Sequence, residues 1–144
     1  MQDKLSPIDR RILRLLQHDA DLSAAEVQLV GEVAREQVLS RALAKVAGEY
    51  DVILIDCQPS LGLLTVNALT ASHGVIIPLE AEYFALRGVA LLVETIEKVQ
   101  DRLNPDLEID GVLATMFDQR TLHSKEVVGS LVAGFGDRVF ETVI

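Results

Sequence analysis

The sequence predicts an α/β protein, with a parallel sheet carrying helices on both faces and an amphipathic helix at the amino end. Branched-aliphatic runs at residues 52–56, 75–79 and 111–117 have strand length, and continuous apolar runs are what strands buried on both faces require. Stretches of helical spacing separate these runs, the pattern of βαβ units with right-handed crossovers. Turn chemistry punctuates them, with Gln58-Pro59-Ser60 after the first run and Asn104-Pro105 ahead of the third.

The elements are expected in the following order. Ser6 caps a first helix with Pro7 at its first position, where the missing N–H costs nothing. Ile8, Ile12, Leu15 and Leu16 make its apolar stripe, with Arg10, Arg11 and Arg14 opposite. Ser23-Ala24-Ala25-Glu26 is a capping box opening a second helix. That helix is expected to run to about residue 46, with a break near Gly31 and an end at Gly48. Strand 52–56 follows, then a helix over 61–72 capped by Ser60, strand 75–79 and a helix over 86–102. Strand 111–117, a helix over 124–133 and a last strand near 139–144 complete the chain. The domain division expected is 1–22 for the amphipathic helix and 23–144 for the α/β region.

Composition narrows the class. A chain of 144 residues suits one domain with a substantial core. No segment reaches the roughly 18 uninterrupted apolar residues of a membrane span, and Met1-Gln2-Asp3-Lys4 is too polar for a secretory signal. One cysteine, Cys57, excludes an internal disulfide framework and suits a reducing cytoplasm. A net charge of −9 argues against a domain built around a wide basic nucleic-acid surface.

Asp56 is the residue of most chemical interest. It stands at the carboxyl end of the first expected strand, the end at which open α/β sheets bind ligands. A carboxylate held there suits a water-mediated contact to nucleotide-bound Mg²⁺. Capping the next helix, or pairing with a nearby lysine, is the alternative use. Cys57 reads as a structural thiol at a buried strand end, since no sequence neighbour completes a nucleophilic triad. Glu80 and Glu82 follow the second strand at the ligand end of the sheet and read as loop or dimer-contact residues, with an acid–base role as the alternative. His18 and His123 lack metal-ligand spacing, and His73 reads as a surface residue ahead of a strand.

The motif Asp56-Cys57-Gln58-Pro59-Ser60-Leu61-Gly62 resembles the ParA family of chromosome and plasmid partition ATPases, relatives of Soj and MinD. The resemblance continues through Asn67-Ala68-Leu69-Thr70-Ala71 and Glu82-Tyr83-Phe84-Ala85-Leu86-Arg87-Gly88. It extends to Leu103-Asn104-Pro105-Asp106-Leu107 and Thr115-Met116-Phe117-Asp118, covering roughly residues 21–144. It implies a P-loop NTPase fold using ATP and Mg²⁺. Asp56 would hold Mg²⁺ through water and take part in catalysis, while Pro59 and Ser60 would form a phosphate-sensing switch with Leu61, and Met116 would contact nucleotide. It further implies an ATP-driven homodimer, non-specific DNA binding through Arg120 and Lys125, a ParB-like partner, no membrane, and a cytoplasmic, nucleoid-associated location. Asp118 and Glu126 dilute the charge around Arg120 and Lys125, and a solvated helix start is the alternative reading of these residues.

The family's phosphate-binding loop has no counterpart here. The lysines are Lys4, Lys45, Lys98 and Lys125, and none follows a glycine. Gly129 and Gly134 have the spacing of G-x-x-x-x-G-K-[ST], but Phe135 occupies the lysine position. Both glycines read as helix-end residues. The chain therefore reads as the middle and later part of a ParA-type fold, with no ATP hydrolysis expected of it alone. Residues 4–26, from Lys4-Leu5-Ser6-Pro7-Ile8-Asp9-Arg10 to Leu22-Ser23-Ala24-Ala25-Glu26, resemble the start of an Lrp/AsnC helix-turn-helix. The competing function is accordingly a non-enzymatic regulatory module, an Lrp/AsnC-like helical amino end fused to an α/β remnant.

Overall fold

The computed structural model describes residues 29–58, 60–80, 85–117 and 120–144. The amino-terminal helix and capping box, the Lrp/AsnC-like segment up to residue 28, Pro59, Glu82 and Asp118 lie outside the described residues. The chain divides into two compact units, Met1–Ala71 and Ser72–Ile144.

In the first unit the expected long helix is replaced by short pieces. Helical residues 29 and 30 give way to turns, and Ala34 takes a left-handed backbone with φ 53° and ψ 47°. The break expected near Gly31 falls in this stretch. A left-handed residue cannot continue a right-handed helix, so the chain restarts as a 3-10 turn, Arg35–Gln37, and helix α1 (Val38–Leu43). A second 3-10 turn, Ala47–Glu49, brings it to residue 50.

Helix α2 (Leu63–Ala71) starts two residues later than expected. The Gly62 carbonyl accepts the Val66 N–H at 3.1 Å, so the cap position falls on Gly62 and not on Ser60. Buried side chains on α2 are both apolar and polar: Ala68 and Leu69 beside Thr65, Asn67 and Thr70.

The expected strand at 52–56 is corrected by the structure. The segment is not paired as a strand, and Val52 and Leu54 are 72% and 69% exposed rather than buried on both faces. A strand is completed by neighbours that take up its N–H and C=O groups, and no other strand is described in this unit.

The second unit holds the parallel sheet. Strand β1 (Gly74–Glu80) runs into helix α3 (Ala85–Arg102) and then strand β2 (Glu108–Thr115). The two strands pair in parallel from Gly74 opposite Glu108 to Glu80 opposite Thr115, with a register shift at Val75/Ile76. Ile77 and Leu79 are buried, while Ile76 is 51% exposed and Pro78 and Glu80 are also exposed. β1 thus alternates as a half-covered strand does, unlike the doubly buried strand expected from its composition.

α3 buries Val89, Ile96 and Val99 on one stripe. It ends where the Val99 carbonyl accepts the N–H groups of both Leu103 and Asn104 at 2.8 Å, at the Asn104-Pro105 signal. The Asn104 side chain donates to the Ser72 carbonyl at 2.7 Å, and the Gln100 side chain donates to the Leu107 carbonyl at 2.7 Å. These bonds fix the approach to β2.

Helix α4 (Leu122–Phe135) is capped by Thr121, whose hydroxyl oxygen accepts the Ser124 N–H at 3.4 Å. Gly129 lies inside α4, a correction to its reading as a helix end, whereas Gly134 does lie in the last turn; Gly136, with φ 58°, follows the helix. The expected last strand is a short continuation along β2. Val139 bridges Val112, and the N–H groups of Phe140 and Ile144 donate to the Val112 and Ala114 carbonyls at 2.9 and 3.0 Å. Among the described residues no helix is long and apolar enough to cross a membrane.

Candidate functional site

Asp56 is exposed at the end of the unpaired segment 52–56, ahead of α2. Among the described residues no salt bridge uses it, so the reading in which Asp56 pairs with a lysine finds no support there. Nor does it cap α2, whose cap position is Gly62. Its carboxylate acts on Cys57 next to it. Desolvation of the sulfur, and secondarily the Asp56 charge, push the Cys57 thiol above its ordinary range. Cys57 is exposed, not buried in a strand end as expected, and its Sγ lies 3.8 Å from the Ile55 carbonyl oxygen. A raised thiol value disfavours the thiolate, so the geometry does not make a nucleophile of it.

Ser60 is exposed and its turn is compact. The Ser60 N–H donates to the Gln58 carbonyl at 2.7 Å, and its own carbonyl accepts the Thr65 hydroxyl at 2.6 Å. Asp56 and Ser60 belong to the first unit, whereas Met116, Arg120 and Lys125 belong to the second. Met116 is 78% exposed at the carboxyl end of β2 and carries a left-handed φ of 55°. Arg120 is exposed just before α4, and Lys125 lies in the first turns of that helix. Glu80 is exposed at the carboxyl end of β1, and His73 is exposed ahead of it.

Mg²⁺ bound with a nucleotide keeps several waters and needs only one or two carboxylates. An exposed Asp56 carboxylate with no cation partner among the described residues fits that outer-sphere role. It does not amount to a metal site by itself: among the described residues no group of three or more His, Cys, Asp or Glu side chains can hold an ion. The phosphates are a different matter. They call for a glycine-rich amide cradle and a lysine, and the 144 residues contain no such motif.

Sequence reading passed over Thr65 and Asn67 as site-shaping residues. The signal was there, as polar residues set into the apolar run Leu63-Leu64-Thr65-Val66-Asn67-Ala68-Leu69. Buried polar side chains are retained where they have partners. Apart from the Leu63 carbonyl, those partners are backbone groups outside α2, which spacing alone does not reveal.

The fold agrees with what the chain resembles. The family described as the AAA domain matches residues 2–109, a span that takes in residues 4–26, expected from sequence to be Lrp/AsnC-like. The chromosome partitioning protein ParA of Myxococcus xanthus is 46% identical over 144 residues, all of this chain and 51% of that protein. The chromosome-partitioning ATPase Soj of Treponema pallidum is 52% identical over 124 residues, 86% of this chain and 49% of that protein. A crystal structure of cobyrinic acid a,c-diamide synthase from Mycobacterium smegmatis, with bound ADP and magnesium, superposes with a TM-score of 0.75 at 48% identity. That superposition covers 83% of this chain and 49% of the other. The chain belongs to the family described as the AAA domain, and it is similar to the ParA and Soj chromosome-partitioning proteins. It spans about half the length of the curated relatives it matches.

Proposed function

We propose that this chain carries the Asp56–Ser60 part of a partition-ATPase nucleotide site and does not turn over ATP on its own. The observation that carries the reading is the exposed Asp56 carboxylate, which lies immediately before a compact turn into α2 in a chain of this family. Asp56 would hold Mg²⁺ through water, and Pro59, Ser60 and Leu61 would respond to the terminal phosphate. Met116 would contact nucleotide from the end of β2. When bound, Mg²⁺·ATP supplies the phosphoryl chemistry and the charge that the switch turn senses. The residues present orient and sense. They do not include the lysine and amide cradle that hold the phosphates and stabilise charge in phosphoryl transfer.

The wider role follows the relatives. It comprises DNA partition as an ATP-dependent homodimer, with a ParB-like partner and non-specific DNA contact through Arg120 and Lys125, in the cytoplasm at the nucleoid. A phosphate-release assay tests the enzymatic part. The expected result is release indistinguishable from a buffer blank, with or without DNA, because losing a positioning and charge-stabilising loop removes several orders of magnitude in rate. Steady turnover abolished by Asp56→Ala would overturn it. Calorimetric titration with ATP, with and without Mg²⁺, tests binding separately from turnover.

A further inference from the structure

Thr65 occupies the third position of α2 and is buried. A threonine inside a helix ordinarily returns its hydroxyl to the carbonyl four residues back. Thr70, on the same helix, does so, donating to the Val66 carbonyl at 2.7 Å. Thr65 does not. It passes over Leu61 and reaches out of the helix to the carbonyl of Ser60, five residues back, at 2.6 Å. Ser60 is exposed, and its N–H closes the turn on the Gln58 carbonyl at 2.7 Å. One buried hydroxyl therefore fastens an otherwise solvent-facing turn to the body of α2.

We infer that Thr65 is the positioning residue of the Asp56–Ser60 turn, setting where Ser60 stands relative to the Asp56 carboxylate. The inference rests on the reading above for what the turn is for, but its geometric core stands apart from it. An anchor on a backbone carbonyl is indifferent to the side chain at residue 60. It needs a hydroxyl at residue 65 and tolerates loss of the threonine methyl. Valine has the shape of threonine without the donor, and serine has the donor without the methyl, so the two substitutions separate anchoring from packing.

Amide hydrogen exchange on the whole chain tests it. Thr65→Val is expected to speed exchange of the Ser60 amide about three- to tenfold, the size of one modest hydrogen bond, while the amides of Ala68 to Thr70 keep their protection. Thr65→Ser is expected to restore the wild-type rate. If Thr65→Val does not fold, Thr65→Ala is read the same way against Thr65→Ser. Equal Ser60 exchange in the wild type and the hydroxyl-free variant overturns the inference, as does failure of serine to rescue. Mn²⁺ gives a second readout that packing alone would not move. Its paramagnetic broadening of the Ser60 resonance, relative to that of Asp56, is expected to fall in Thr65→Val and return in Thr65→Ser. An unchanged ratio in the hydroxyl-free variant counts against the positioning role. No broadening at Asp56 in the wild type would overturn the metal reading of Asp56 instead, with the exchange result still deciding the anchor.

Discussion

The Asn67 carboxamide caps a helix to which it does not belong. Its Oδ1 accepts the backbone N–H of Leu39, in the first turn of α1, at 3.1 Å. Gln37, in the cap position of α1, makes no side-chain cap bond. The Asn67 amide nitrogen meanwhile donates to the carbonyls of Arg35 at 2.8 Å and Leu63 at 3.0 Å. One buried side chain thus takes up one N–H of the α1 amino end and ties it to α2. Asn67→Ala removes the acceptor and both donors together and leaves backbone groups without partners. The expected cost is about 1–3 kcal/mol, read as a lower urea midpoint. Asn67→Asp keeps the acceptor for Leu39 but loses both donors and places charge in a buried position, so it is expected to destabilise as well.

Gly111 is held to glycine by Phe140. A Cβ at residue 111 would come within 2.7 Å of the Phe140 ring and 2.8 Å of the Arg138 carbonyl oxygen. The ring is carried on the segment whose Phe140 N–H donates to Val112 at 2.9 Å. Gly111→Ala therefore requires the carboxyl-terminal segment to move off β2 or the strand to shift. Overpacking of this kind costs about 1–3 kcal/mol. Thermal unfolding should show the loss, and the double variant Gly111→Ala with Phe140→Ala should lose less than the two single effects added together.

These two contacts mark how far the sequence could be read. The parallel βαβ order was legible, because 75–79 and 111–117 are apolar runs separated by the amphipathic stripe Val89, Ile96 and Val99. The end of α3 at Asn104-Pro105 was legible for the same local reason. The burial of residues 52–56 was not: its composition is that of an internal strand, but burial depends on neighbours, and Val52 and Leu54 are exposed. Helix limits slipped where backbone and not side-chain pattern decides them, at the left-handed Ala34 and at Gly62. Asp56 was singled out from its place at the carboxyl end of an expected strand, and residues 52–56 are not paired as one. Thr65 and Asn67 were missed because their partners are carbonyls and amides of other segments.

Cys57 gives a pH-dependent test. Desolvation first, and the neighbouring Asp56 charge second, raise its thiol value above the ordinary one. Alkylation by iodoacetamide should therefore be slower than for a model thiol at the same pH, with its midpoint displaced upward. Asp56→Asn should bring the midpoint part of the way back, since the larger cause remains. The sign for stability follows by linkage. The folded chain holds this proton more tightly than the unfolded chain, so the contribution is full below the unfolded thiol value and is lost as pH rises through the raised one.

Met116 tests whether the carboxyl end of β2 stores strain. A left-handed backbone costs a residue with a side chain roughly 1–2 kcal/mol, and Met116 adopts it at φ 55° with its side chain 78% exposed, so little burial offsets the cost. Glycine takes that backbone freely but loses about 0.5–1 kcal/mol of chain entropy on folding. The balance predicts that Met116→Gly stabilises the protein by about 1 kcal/mol or less, seen as a higher urea midpoint at an unchanged slope. Alanine keeps the strain and lacks the long side chain, so Met116→Ala is expected to leave stability near that of the wild type. If glycine destabilises while alanine does not, the left-handed backbone at residue 116 is not strained. If both destabilise, the exposed methionine makes a packing contribution that its exposure does not reveal. If glycine stabilises, the chain keeps a costly conformation where strained residues typically serve binding, and the proposed nucleotide contact at Met116 gains support from energetics independent of any likeness.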